Sequence, residues 1–185
     1  VLSAAVMSQQ VQGWQGAPQT IYSDHFLETQ AIDGPIGYKL EAPPLHPVIF
    51  ASTVSGVGQQ HAELIRQFPQ THVLLALLRD GFHDQSAGGQ VALRGDGSAV
   101  LDYPLNDFVM EGGRRALLSM AEIQFAAGAQ RVLPVHEMAA PYTSWAQARA
   151  AIAALPMKPL LMIVRPSGRS VSTRARRWLS GMRAT

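Results

Sequence analysis

The chain contains no cysteine. A disulfide framework and thiolate-bound zinc or iron–sulfur centres are therefore excluded, and cysteine usage leaves the redox character of the compartment undetermined. Long apolar runs are missing too: Val73 to Leu78 and Leu160 to Val164 are strand-sized, well short of the roughly 20 residues of a membrane span. No basic n-region followed by an apolar h-region marks a signal peptide, and a cytoplasmic location is favoured. A chain that opens at Val1 in mid-pattern is expected to be a fragment. Motifs for common chemistries are equally sparse. No Gly-x-Ser-x-Gly elbow and no phosphate-binding Gly-Lys-Ser/Thr occurs. Gly56-Val57-Gly58 lacks the third glycine and following acid of a dinucleotide fingerprint, and reads as a turn. The six histidines show no His-x-x-x-His spacing, and His83-Asp84 reads as a surface-loop pair rather than half of a metal site.

What is present is enough for one core. At 185 residues and 47% hydrophobic content, the chain can form one globular domain. Its net charge of +2 hides a split. Residues 1–164 carry nine Lys/Arg against all thirteen acids, a net of −4, whereas residues 165–185 carry six arginines and no acid. Such a tail can serve as a nucleic-acid or acidic-partner arm. The acidic body, however, offers no basic face to continue a phosphate track, so a nucleic-acid role is disfavoured.

Along the chain, Gly13-Trp14-Gln15-Gly16-Ala17-Pro18 is turn chemistry around an anchoring aromatic. Gln19 to Phe26 alternates like a strand, and so does Tyr38 to Glu41. Two strands so close in sequence are expected to be antiparallel neighbours. Gln59 to Phe68 has the apolar spacing of a short amphipathic helix that Pro69 ends, and His72 to Asp80 has the length and content of a buried strand. Gly89 to Tyr103, with Gly95-Asp96-Gly97-Ser98 between two alternating runs, is a β-hairpin. Asn106 or Asp107 caps a helix running to about Ala127, whose first turns Gly112 and Gly113 weaken, so that a late start is expected. Gln130 to Leu133 reads as a short strand. Thr143 or Ser144 caps an Ala-rich helix ending near Pro156, and Leu160 to Val164 returns as a strand. The pattern predicts an α+β domain, a mainly antiparallel sheet flanked by helices set to one side.

Gly37 to Pro47 is the stretch with the most chemical promise. Tyr38 and Leu40 alternate with Lys39 and Glu41, and Pro43-Pro44 then stop the strand. A carboxylate at a strand's end is held on one side and open on the other. Read from its residues alone, Glu41 is more often a solvated strand-end charge than a catalytic group.

Taken in order, these pieces resemble the substrate-binding part of the glucose–methanol–choline (GMC) oxidoreductases, flavoenzymes that oxidise alcohols. The matching features are Val11-x-x-Trp14-x-Gly16-x-Pro18-Gln19 leading into Tyr22-Ser23-Asp24, then Gly37-Tyr38-Lys39-Leu40-Glu41-Ala42-Pro43 with His46-Pro47. The strand ending Arg79-Asp80, the Gly89 to Tyr103 hairpin and the helix ending Ala126-Ala127-Gly128-Ala129 also match. The order covers about Val11 to Val164 and looks most like the bacterial long-chain alcohol and sterol oxidase branch.

The resemblance implies a partial GMC-like substrate-binding domain over residues 1–164 that lacks the FAD-binding Rossmann domain. It implies an apolar alcohol substrate whose CH–OH is oxidised to a carbonyl with hydride transfer to FAD. Glu41 is then the catalytic base, with Tyr38 and His46 as weaker substrate-pocket candidates. FAD belongs to the intact family enzyme and is not expected to be bound by this chain alone, which is expected to be inactive by itself. The alternative is a non-catalytic α+β module that binds an apolar ligand or a separate flavin-carrying chain.

One departure stands out. Where the family carries Ala-His-Pro or Ala-His-Gln, this chain reads Arg165-Pro166-Ser167-Gly168. Codons CGC CCA TCA, read one nucleotide later, restore Ala-His, so residues 165–185 are expected to be a frameshifted or disordered arginine-rich tail. The coding DNA tests this: a shifted frame that restores Ala-His-(Pro/Gln) supports it, and its absence ends it.

Overall fold

A computed structural model describes residues 1–17, 21–28, 31, 33–54 and 57–157. The expected strand at Leu160 to Val164 and the arginine-rich tail lie outside the described residues.

Five strands form one sheet: β1 (Leu2–Val6), β2 (Tyr22–Ser23), β3 (Tyr38–Glu41), β4 (Thr71–Leu78) and, after an intervening hairpin, β7 (Arg131–Pro134). Their order is β2-β3-β4-β1-β7, and every pairing is antiparallel. The expected β2–β3 neighbours are present, with Tyr22 opposite Glu41 and Ser23 opposite Leu40. Of the expected Gln19 to Phe26 strand, Gln19 and Thr20 lie outside the described residues; in the rest, Tyr22 and Ser23 pair as β2, and His25–Glu28 turn into the helical segment α1 instead of extending the strand. The hairpin β5 (Gln90–Leu93) and β6 (Ala99–Asp102) stands apart as its own two-stranded sheet.

Strand β1 is the element least visible in the sequence. Leu2-Ser3-Ala4-Ala5-Val6 shows no apolar alternation, because both of its faces are buried and small residues suffice on each. It pairs with β4 on one side and β7 on the other.

Helices lie on both faces of the sheet, which corrects the expectation that they sit to one side. On one face, Ala5, Tyr38, Leu40, Ala76 and Val132 pack with Leu117, Met120 and Ile152 of α4 (Asp107–Ala126) and α5 (Trp145–Ala154). On the other, Ala4, Val6, Val73 and Leu133 meet Leu45, Phe50 of α2 (Pro47–Thr53) and Leu64 of α3 (Gln59–Arg66). Period-2 alternation separates these sets, since neighbouring residues of one strand point to opposite faces. Helix α2 leaves little mark in the sequence because its seven residues are rich in β-branched side chains.

Local signals fix the helix ends. Asn106 caps α4 by accepting the Val109 N–H at 3.0 Å, and Ser144 caps α5 by accepting the Gln147 N–H at 3.3 Å. Helix α4 begins at Asp107 rather than late. Its Gly112 is a packing residue: a Cβ there would stand 2.4 Å from Ile36 Cγ2. One buried polar pair ties sheet to helix. Ser3 Oγ donates to Gln124 Oε1 at 2.7 Å and Gln124 Nε2 donates to the Ser3 carbonyl at 2.9 Å.

Candidate functional site

Strand β3 sends its residues to two different environments. Tyr38 and Leu40 enter the core under α4, whereas Lys39 and Glu41 face the side that α2 and α3 partly cover. Directly opposed residues of paired strands share a face, so Tyr22, Glu41, Leu75 and Leu2 form one row across β2, β3, β4 and β1.

Glu41 lies within this row at 8% exposure. Its Oε1 is 3.3 Å from Lys39 Nζ, and the same ammonium stands 4.1 Å from the centroid of the Tyr22 ring. Lys39 therefore joins the carboxylate to an aromatic face, two contacts that each favour a cation there. Beyond Glu41 the face opens. Tyr22 is 59% exposed and Leu77, opposite Lys39, is 46% exposed. The carboxylate thus sits at the margin between the covered and uncovered parts of the sheet.

The structure does not bring Tyr38 and His46 to this carboxylate face together. Tyr38 is buried on the opposite side, stacked on Phe26 at 4.8 Å. Its hydroxyl is 2.7 Å from Ser119 Oγ and donates to the Arg115 carbonyl at 3.3 Å. His46 is exposed at the N-cap of α2, where its carbonyl accepts the Phe50 N–H at 2.9 Å and its side chain makes no cap bond. The prolines after Glu41 set the chain's path between these points: the Ala42 N–H donates to the Ile21 carbonyl and the Leu45 N–H to the Gly13 carbonyl. Gly13 is required at that crossing, because a Cβ would lie 2.9 Å from the Thr71 carbonyl oxygen.

Lys39 is the site residue that sequence reasoning missed. Its signal was present: on a strand, residues two apart share a face, so Lys39 and Glu41 had to be neighbours.

The remaining motifs resolve into structure. Trp14 stacks on Phe68 at 5.1 Å. His83 stacks on Phe108 at 4.4 Å while its Nδ1 accepts the Gln85 N–H at 3.0 Å. Asp80 accepts hydrogen bonds from the hydroxyls of Ser86 and Tyr103, fastening the hairpin's root to the end of β4; the carboxylate holds the Tyr103 phenol up at about 12. Among the described residues, no group of three or more His, Asp or Glu side chains is arranged to hold a metal ion, and no helix is long and apolar enough to cross a membrane.

The fit to a flavin dinucleotide is poor within these residues. The Rossmann type of dinucleotide cradle is a parallel β-α-β crossing with a glycine turn at the helix start, and the described sheets are antiparallel at every pairing.

No protein-family model matches the chain, and comparison with curated proteins finds no match. The α+β architecture, an antiparallel sheet flanked by helices, is the class that the fold defines.

Proposed function

We propose that this chain supplies the substrate-binding sheet of an FAD-dependent alcohol oxidoreductase of the GMC type, with Glu41 as the base that takes the hydroxyl proton of an apolar alcohol. The observation that carries the reading is the placement of Glu41: a nearly buried carboxylate at a strand end, paired with Lys39, on the edge of an uncovered apolar sheet face. A group held still on one side and reachable from the other suits proton abstraction. Tyr22 and Leu77 supply apolar surface on the same face, where a hydrocarbon tail would lie. The flavin enters this reading only as the cofactor of the family that the sequence resembles; the described residues, antiparallel at every pairing, form no Rossmann-type cradle for it. Tyr38 then serves as a core residue under the site, and His46 marks the α2 end of the segment that follows β3.

The test is binding and turnover by the chain itself. A long-chain primary alcohol is expected to bind wild type, and Glu41→Ala is expected to weaken binding by about tenfold, the loss of one charge-assisted hydrogen bond. Equal binding by both proteins would sink the role of Glu41. Alcohol-dependent dye reduction by the purified chain, with a flavin absorbance band, would contradict the expectation that it is inactive alone. Copurification with a flavin-carrying polypeptide would favour the second reading, a non-catalytic module that covers its open sheet face with a partner.

A further inference from the structure

On the same side of the sheet but at its other edge, a cavity of about 420 Å³ lies between α3 and the segment that follows β7. Strands β4 and β1 separate it from β3 and Glu41, a gap on the order of 14 Å at the usual strand spacing. Its size falls in the range of small-molecule sites. Leu64 of α3 and Leu133 and Pro134 of β7, all buried, contribute apolar lining.

Three ionisable side chains also line it: Arg131, Glu63 and Glu137. None of them forms an ion pair among the described residues. The cavity therefore brings one guanidinium and two carboxylates together without spending them on each other. Arg131 is steadied by Gln67, whose side-chain oxygen accepts one of its N–H groups. Gln67 is itself fixed, since its N–H closes the end of α3 and its carbonyl accepts the Thr71 hydroxyl at 2.7 Å. A guanidinium has five donors, so among the described residues most of the fork is left for another partner. Glu63 accepts a 3.3 Å bond from Gln59.

The opposite wall is held as firmly. His136 N–H donates to the Pro134 carbonyl at 2.8 Å, Met138 N–H donates to His136 Nδ1 at 3.0 Å, and Ala139 N–H donates to the His136 carbonyl at 3.0 Å. Val132 and Tyr142 then exchange two 2.9 Å backbone bonds that close the loop. A cavity with walls tied down in this way needs little ordering to accept a ligand.

We propose that this cavity binds a free α-amino acid with an apolar side chain. The carboxylate would take the Arg131 fork, for which a planar bidentate donor is suited. The ammonium would be drawn to Glu63 and Glu137, and the side chain would lie on Leu64, Leu133 and Pro134. Two carboxylates against one guanidinium disfavour a plain carboxylic acid, and the guanidinium disfavours a plain amine.

The experiment is an amide NMR titration of the full chain with leucine, N-acetyl-leucine and leucinamide, each up to about 10 mM. Leucine is expected to shift signals of residues 60–64 and 131–141 and to bind at least about tenfold more tightly than either analogue, each of which lacks one of the two charges. Arg131→Met and Glu137→Gln are each expected to remove most of that advantage while keeping the dispersed spectrum of a folded chain. Should Arg131→Met unfold, the exposed Glu137→Gln variant decides alone. No leucine-dependent shift, equal binding of leucine and leucinamide or N-acetyl-leucine, or an unchanged advantage in Glu137→Gln would each overturn the proposal. None of these outcomes bears on Glu41.

Discussion

At the residue scale the pair Lys39–Glu41 matters most. The carboxylate is nearly buried, whereas its partner is about one-third exposed. Removing the ammonium leaves a charge with little solvent and no other ion-pair partner among the described residues. Lys39→Met is therefore expected to destabilise the fold by about 1–3 kcal/mol, measured as a lower urea midpoint with an unchanged slope. Lys39→Met combined with Glu41→Gln should recover part of that loss, because the uncompensated charge is then gone. Legibility in the sequence is uneven here. Alternation alone places Tyr38 and Glu41 on opposite faces, but nothing in the sequence reveals that Tyr22 stands opposite Glu41 or that the face beyond it is open. Those facts depend on strand register, which is set by pairing across the sheet. A second expectation at this scale concerns Tyr103. Its hydrogen bond to the Asp80 carboxylate pushes the phenol up to about 12, so in spectrophotometric titration the Tyr103 phenol should ionise at higher pH in wild type than in Asp80→Asn, which should bring it back toward the ordinary value of 10.0.

At the scale of elements, α4 is seated by the absence of a side chain. Gly112 weakens helix propensity by about 1 kcal/mol relative to alanine, yet Ile36 occupies the space that a Cβ would need. Gly112→Ala is expected to lose about 1–3 kcal/mol by overpacking, read from thermal or urea unfolding, and a stabilised variant would contradict this seating. By propensity alone the glycine pair favours a late helix start. The competing effect, close packing of Ile36 against the helix, involves residues far apart in sequence and leaves no local mark. By contrast, the caps Asn106 and Ser144 and the Gly-Asp loop of the β5–β6 hairpin act within a few residues, so they were readable. Strand β1 and helix α2 were not. The first is held by neighbours on both sides, the second by Phe50 entering the core beneath it.

For the whole molecule, two histidines set a pH dependence. Burial lowers both His72 and His136 from the ordinary 6.5. His136 is held with Nδ1 accepting from Met138 and Nε2 3.3 Å from the Pro156 carbonyl, the pattern of a neutral imidazole. Because the folded values lie below the unfolded one, the unfolded chain binds more protons between them. Their contribution is fully present above about pH 6.5 and lost as pH falls through the folded values. Unfolding free energy should drop on acidification across that window, and His136→Gln should flatten the drop.

The arrangement of the whole sheet bears on function as well. Its α4 face is closed by a long helix, while the face carrying Glu41 is closed only in part by α2 and α3. The proposed alcohol-binding role rests on that asymmetry, and one measurement tests it most directly: an amide NMR map of the full chain titrated with a long-chain primary alcohol. The account predicts shifts concentrated at Tyr22, Lys39, Glu41 and Leu75, greatly reduced in Glu41→Ala. Shifts confined to the α4 side, or none at saturating alcohol, would contradict it.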